Sequence, residues 1–357
     1  MTLRRKPNEA KKYLSFQLDH GIVASHLCYI SESWNLAGGV CYRHEQGHQY
    51  LFGVYWNWIS KQRNQNDSAI FFQVLWAVIT NSYLIGFVRG KIYQGKIKNI
   101  CVPGMNCYSC PGAVAACPIG ALQATIGSYE YKFAFYVAGF MILVGTFMGR
   151  FVCGWLCPFG LIQDLLNKIP LPSKLKIRTF KGDRQLRWLK YGILLVFVIL
   201  LPLYITDMIG QGYPWFCKLI CPVGTLEGGI PLVLLNDAMR ATVGWLYAWK
   251  NVILIVTILV SILIYRPFCK YICPLGAIYS LFNPVSILRY RVDSEKCVNC
   301  GACAKACKMG CVPVKNANSL ECIRCGKCKN ICPTHAIEYC AVSKSMKKKD
   351  NSRVSQE

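Results

Sequence analysis

Two cysteine runs near the C-terminus constrain this chain more than anything else in it. They read Cys297-x2-Cys300-x2-Cys303-x3-Cys307 and Cys322-x2-Cys325-x2-Cys328-x3-Cys332-Pro333. Three thiolates so closely spaced cap three corners of an iron–sulfur cubane, and the fourth, three residues on, reaches the neighbouring one. The spacing therefore predicts one [4Fe–4S] centre on Cys297, Cys300, Cys303 and Cys332. A second falls to Cys322, Cys325, Cys328 and Cys307. Zinc also takes C-x2-C pairs, but it has no need of a third cysteine two residues further on, twice over. Whatever the remainder of the chain does, it serves a module that takes up and releases single electrons.

The chain has 357 residues, of which 54% are hydrophobic, and this invites a search for membrane spans. Its 22 cysteines fall at metal-ligand spacings rather than in a disulfide framework, which points to a reducing compartment. The formal charge of +24 raises nucleic acid as a partner. Against that, the basic residues sit in loops beside apolar runs, and no nucleic-acid motif is present, so no nucleic-acid partner is expected. Arg4 and Arg5 are paired, but no apolar core follows them, and neither a signal peptide nor a twin-arginine export signal is expected. Residues 1–68 form an extension of unassigned role. In it Cys41-x2-His44-x3-His48 has metal-ligand spacing, with His20, His26 and Cys28 upstream, and a polar extension with scattered histidines fits it better.

Four uncharged apolar runs follow: Ala69–Val88, Phe133–Gly149, Tyr191–Thr206 and Asn251–Tyr265. A spanning helix needs about 20 apolar residues. The first run meets this alone, and the others complete it with apolar flanks. Residues 150–190 hold nine Lys or Arg against two acids, residues 207–249 two against three, and residues 266–357 sixteen against six. The positive-inside rule then puts the 150–190 loop, the C-terminal region and both termini in the cytoplasm. Residues 89–132, with five basic residues and one acid, vote the other way. That vote is overridden, with Arg89, Lys91, Lys96 and Lys98 read as offsetting a negative cluster. The expected location is the cytoplasmic membrane.

Within the membrane region a single pattern recurs four times: Cys117-Pro118-Ile119-Gly120, Cys157-Pro158-Phe159-Gly160, Cys221-Pro222-Val223-Gly224 and Cys273-Pro274-Leu275-Gly276. A further cysteine stands four residues before the last three, at Cys153, Cys217 and Cys269. Arg150-x2-Cys153-x3-Cys157-Pro158 aligns with Arg266-x2-Cys269-x3-Cys273-Pro274. This is a duplicated unit. Cysteines four apart share one helical face, and the proline is expected to end or redirect the helix. Two thiolates cannot complete a cubane, but two pairs from separate halves can. Cys153, Cys157, Cys269 and Cys273 are thus candidates for a third cluster. Cys217 and Cys221 are candidates for a fourth, with Cys110 and Cys117, and Cys107 as the alternative ligand.

The tail, from about Asp293 to Glu338, resembles the bacterial two-cluster ferredoxins, departing from them at Lys308, where proline is usual. With the Cys-x3-Cys-Pro copies, residues 69–340 resemble the NapH/MauN-type membrane ferredoxins, related to NosR-type and CcoG-type polyferredoxins. The resemblance implies membrane-bound electron transfer between the quinone pool, or a cytosolic donor such as ferredoxin or flavodoxin, and a redox partner protein. A redox sensor or metal-centre assembly factor using the same clusters is the alternative. The expected fold is mainly α. A polytopic four-span helical bundle (69–290) carries a small α+β two-[4Fe–4S] ferredoxin domain (291–340) and a basic tail (341–357). No histidine lies in an apolar run, no Cys-x2-Cys-His run exists and no nucleotide-binding glycine pattern appears, which argues against haem and nucleotide chemistry. Asp164, Glu227 and Asp237 near the membrane boundaries read as interface residues before proton relays. About 30 Å of hydrocarbon separates the two sides. So either the cysteine loops dip into the membrane, as Ile230–Leu235 suits, or a quinone or flavin bridges them.

Overall fold

The computed structural model describes residues 69–128, 134–170, 172, 175–208 and 211–340. The His/Cys group of residues 1–68 and the basic tail from 341 on lie outside the described residues.

Helices make nearly all of the regular structure. The first apolar run folds as α1 (Ala69–Thr80) and stops short of its expected end. Asn81 turns its side-chain amide back onto the Ala77 carbonyl (3.0 Å), and Thr80 Oγ1 takes that of Trp76 (2.8 Å). Such local bonds compete with helix continuation. A short helix, Ile85–Arg89, follows and ends at Gly90, whose φ of 59° glycine adopts without strain. The second run gives α3 (Ala134–Met148), after α2 (Pro118–Ile126). All but the last two residues of the third and fourth runs lie in α6 (Asp183–Tyr204, 22 residues) and α9 (Trp245–Leu263, 19 residues). These two are long and apolar enough to cross a membrane. α1, α3 and α8 (Pro222–Leu235) are apolar but shorter. On α6 and α9, Leu195, Leu203, Val252, Ile255 and Leu259 face outward and exposed, as do Phe71, Val78, Ile142 and Phe147 on α1 and α3. Exposed apolar surface on this scale is unusual for a water-soluble monomer.

The Cys-Pro copies depart from the expected geometry. The proline begins a helix in every copy: Pro118 opens α2, Pro158 opens α5 (Pro158–Lys168), Pro222 opens α8 and Pro274 opens α11 (Pro274–Phe282). Proline suits the first helical position, where its missing N–H costs nothing. The residue before proline is driven to extended backbone, so Cys117, Cys157, Cys221 and Cys273 are extended N-cap residues. Their upstream partners sit in separate one-turn helices: α4 (Phe151–Trp155), α7 (Trp215–Leu219) and α10 (Pro267–Tyr271). The pairs thus straddle a helix break rather than sharing one helical face.

The tail contributes β1 (Arg289–Val292) and β2 (Ile337–Cys340), paired antiparallel with Tyr290 opposite Tyr339, and α12 (Ala302–Ala306) and α13 (Lys327–Ile331). It packs against the helical bundle through buried polar groups. Arg324, 1% exposed, donates to the carbonyls of Met148 (2.7 Å) and Asn283 (2.8 Å) and to Ser286 Oγ (2.6 Å). Asn283 donates to the carbonyls of Ser319 (2.9 Å) and Cys322 (2.8 Å). Glu321 pairs with both Arg150 and Lys190. At Gly154 a Cβ would stand 2.4 Å from the Ile323 carbonyl oxygen, so only glycine lets the tail come this near.

Candidate iron–sulfur sites

Cys153 (α4), Cys157 (cap of α5), Cys269 (α10) and Cys273 (cap of α11) are all buried, and the charges of Cys153 and Cys269 reach Cys157 while those of Cys153, Cys157 and Cys269 reach Cys273. Two residues from each half of the duplication therefore meet in one place. Crossed arginines hold them there. Arg150 of the first half donates to the Cys269 carbonyl (3.0 Å), and Arg266 of the second half donates to the Cys153 carbonyl. Both guanidiniums are buried and each has its carboxylate, Arg150 with Glu321 and Arg266 with Asp164. A buried charge is tolerable only when so paired. Burial alone would raise the Asp164 carboxyl, but the Arg266 guanidinium outweighs it and holds the carboxyl below its ordinary value. Two donors are aimed at sulfur: Gln163 Nε2 at Cys269 Sγ (3.2 Å) and the Gly276 N–H at Cys273 Sγ (3.3 Å).

A second set repeats the plan on the far side of the Cys-Pro helices. Cys107, Cys117, Cys217 and Cys221 line a cavity of about 770 Å³, with Cys101 and Lys98 on its wall. Cys110 faces Asn81 Oδ1 (3.6 Å) instead of the cavity, so the alternative ligand, Cys107, completes this group. Gln123 Nε2 donates to Cys217 Sγ (3.3 Å), as Gln163 does to Cys269. Its Oε1 accepts the Phe216 N–H (2.9 Å). Glu227 lies on a π-helical turn, Thr225–Gly229, and accepts the Cys107 N–H (2.7 Å). A Cβ on Gly120 would stand 3.9 Å from Cys217 Sγ, and one on Gly224 3.7 Å from Cys107 Sγ.

In the tail, Cys307, Cys322, Cys325 and Cys328 line a small cavity of about 30 Å³ together with Cys311. Burial first, and the charges of Cys325 and Cys307 after it, push the Cys322 thiol up to about 11. A hydrogen bond from Cys311 draws Cys307 down to about 6, and the Cys311 N–H adds a second bond to that sulfur (3.3 Å). Cys303 stands near Cys300 and Cys332. Cys297 lies beside Asn299 Oδ1 (3.8 Å), at the more exposed end of the tail. Tyr265, next to Arg266, lies on the wall of the Cys322 cavity and senses the Cys325 charge. The nearer tail set thus abuts the Cys153/Cys269 set.

The donor chemistry fits a cubane. The inner, outer and nearer tail groups each gather four sulfurs, whereas in the far tail group Cys303 stands near Cys300 and Cys332 and Cys297 lies beside Asn299. Backbone and amide N–H groups point at the sulfurs, the arrangement that sets the potential of such clusters. Sequence reasoning missed Cys311, although it repeats the Cys-x3-Cys spacing after Cys307. It also missed Gln123, Gln163 and Tyr279, each six places after a Cys-Pro cysteine, and read Glu227, the fourth residue at that position, as an interface residue. Extending the repeat alignment by one helical turn exposes that position.

A family model described as a 4Fe–4S binding domain matches residues 132–178 and 247–290, which contain both inner cysteine pairs. A second model with the same description matches residues 290–312 and 318–338, the two tail runs. An uncharacterized protein of Methanocaldococcus jannaschii is 29% identical over 211 residues, 58% of this chain and 71% of that protein. The methylamine utilization ferredoxin-type protein MauN of Methylorubrum extorquens is 32% identical over 171 residues, 47% of this chain and 50% of its own. The ferredoxin-type protein NapH of Haemophilus influenzae is 34% identical over 174 residues, 48% and 52% of the two chains. The chain thus spans about half the length of the MauN and NapH relatives. No solved structure matches. On these matches the chain is similar to the NapH/MauN-type 4Fe–4S ferredoxins. The two 4Fe–4S matches make it an iron–sulfur protein.

Proposed function

We propose that this protein is a membrane-bound electron conduit with four [4Fe–4S] sites. They are the two of the tail, an inner site on Cys153, Cys157, Cys269 and Cys273, and an outer site on Cys107, Cys117, Cys217 and Cys221. The meeting of four buried thiols from two halves of a duplicated chain carries this reading. A pair from one half alone has no use for a cubane. When bound, such groups supply one-electron transfer without making or breaking covalent bonds. The chain holds the thiolates, excludes water from them and aims N–H donors at them.

The apolar outward faces of α1, α3, α6 and α9 support a membrane setting with four spans. The basic loops support a cytoplasmic tail and cytoplasmic termini. Electrons then pass between a cytosolic donor or the quinone pool and a membrane or extracytoplasmic redox partner. The outer cavity, at about 770 Å³, falls within the size range of small-molecule sites, about 300–1,000 Å³. It has room for a quinone or flavin ring beside the thiols. Iron quantitation with EPR on the purified protein, before and after Cys153→Ala, tests the reading. One signal is lost with its share of iron while both tail signals stay. If all signals and all iron survive the substitution, the inner site does not exist and the protein is a membrane-anchored ferredoxin.

A further inference from the structure

The loop that leads from Cys101 to Cys107 does more than deliver an outer ligand. It runs between the two thiol sets. At Gly104 its backbone packs on that of Cys157, an inner thiol. Met105, Asn106 and Cys107, the next three residues, lie on the outer cavity wall with Cys117. Four consecutive residues thus lead from one site to the other.

The approach is close because Gly104 permits it. A Cβ there would stand 3.1 Å from the Cys157 Cα and 3.1 Å from the Leu156 carbonyl oxygen, both backbone atoms that cannot swing aside. The loop is pinned on every side. Tyr279, wholly buried on α11, donates its hydroxyl to the Pro103 carbonyl (3.0 Å). The same ring belongs to the buried core that also holds Cys153 and Cys157 from one set and Cys117 and Cys101 from the other. Asn106 Nδ2 donates to the Thr80 carbonyl (3.3 Å), and the Cys107 N–H to Glu227 (2.7 Å).

We propose that Pro103–Cys107, held by the Tyr279 hydroxyl, is the bridge that spaces and couples the inner and outer sites, with Gly104 packed on the Cys157 backbone at one end and Cys107 on the outer cavity wall at the other. This rests on the four-site reading above. One electron leaves one site as it arrives at the other, no covalent bond changes and no proton is needed. Gly104 and Tyr279 are positioning residues. A displaced loop moves a ligand of the outer site together with the backbone packed on a ligand of the inner one, so it alters both potentials, which a loop serving one site alone would not do.

The test is an EPR-monitored redox titration of the full-length protein in detergent, with iron counted in each sample. Gly104→Ala shifts the midpoint potentials of both the inner and outer signals and weakens the magnetic interaction between them. Gly276→Ala, next to the inner set alone, shifts only the inner one. If Gly104→Ala does not assemble, Tyr279→Phe decides. It removes the anchor, keeps the ring and leaves the iron content unchanged, and again both potentials move. Transfer between the two sites slows by about the 10-fold or more typical of lost outer-shell partners. A shift at one site only, or at neither, in the variant that assembles overturns the bridge. A wild-type protein that lacks the inner or outer signal altogether overturns the four-site reading instead.

Discussion

An amide aimed at a thiolate stabilises the extra negative charge of the reduced site, so removing it makes reduction harder. Gln163 and Gln123 hold equivalent places six residues after a Cys-Pro cysteine, and each donates to a sulfur of the opposite pair. Gln163→Leu is expected to move the inner potential negative and leave the outer one in place. Gln123→Leu does the reverse, and a redox titration of the two signals separates the cases. Asp164 answers Arg266 from the next helix along. Asp164→Asn leaves a buried guanidinium without its carboxylate, a loss on the order of 3–5 kcal/mol for a buried pair, readable by chemical denaturation. Acid does the same thing reversibly. The folded carboxyl is depressed, so its stabilisation is fully present above the ordinary carboxylate value of about 3.9. It is lost as pH falls through the lower folded value, and the Asp164→Asn variant lacks that step.

At the scale of elements, the Cys-Pro turn is the recurring device. Its proline forces a helix break, sets the cysteine in extended backbone and starts a new helix at once. Four such breaks face one another in pairs, and this puts sulfurs rather than apolar side chains at the centre of the bundle. Docking of the tail is a second element-level device. Asn283 lies at the end of α11, where it bonds two tail carbonyls and accepts the Arg150 N–H (2.9 Å). Asn283→Ala removes all three bonds. The tail signals should persist, because their ligands are local. Transfer from tail to inner site should slow, and limited proteolysis between α11 and β1 should become faster. Unchanged kinetics would mean that the Arg324 bonds and the Glu321 ion pairs are enough to dock the tail.

For the whole molecule, charge decides how partners arrive. A formal +24 spread over loops and tail draws an acidic donor by long-range steering, which salt screens over a Debye length of about 8 Å at physiological strength. Reduction by an acidic ferredoxin or flavodoxin should therefore slow steeply as salt rises. A neutral small-molecule reductant should show no such dependence, and stopped-flow traces at two salt concentrations tell them apart.

By itself the sequence determined the chemistry and the repeat. Ligand spacing in the tail is local, so Cys297–Cys332 could be read residue by residue, and the doubled Arg-x2-Cys-x3-Cys-Pro phrase announced two halves. Only the tertiary structure decided which distant groups face one another. It set Cys107 on the outer cavity wall and Cys110 beside Asn81, brought Cys311 beside Cys307, crossed Arg150 and Arg266 between halves and packed Gly104 against the Cys157 backbone. Those choices depend on contacts between residues as much as 176 positions apart. Packing fixes such contacts, and no periodicity or spacing in the chain records them.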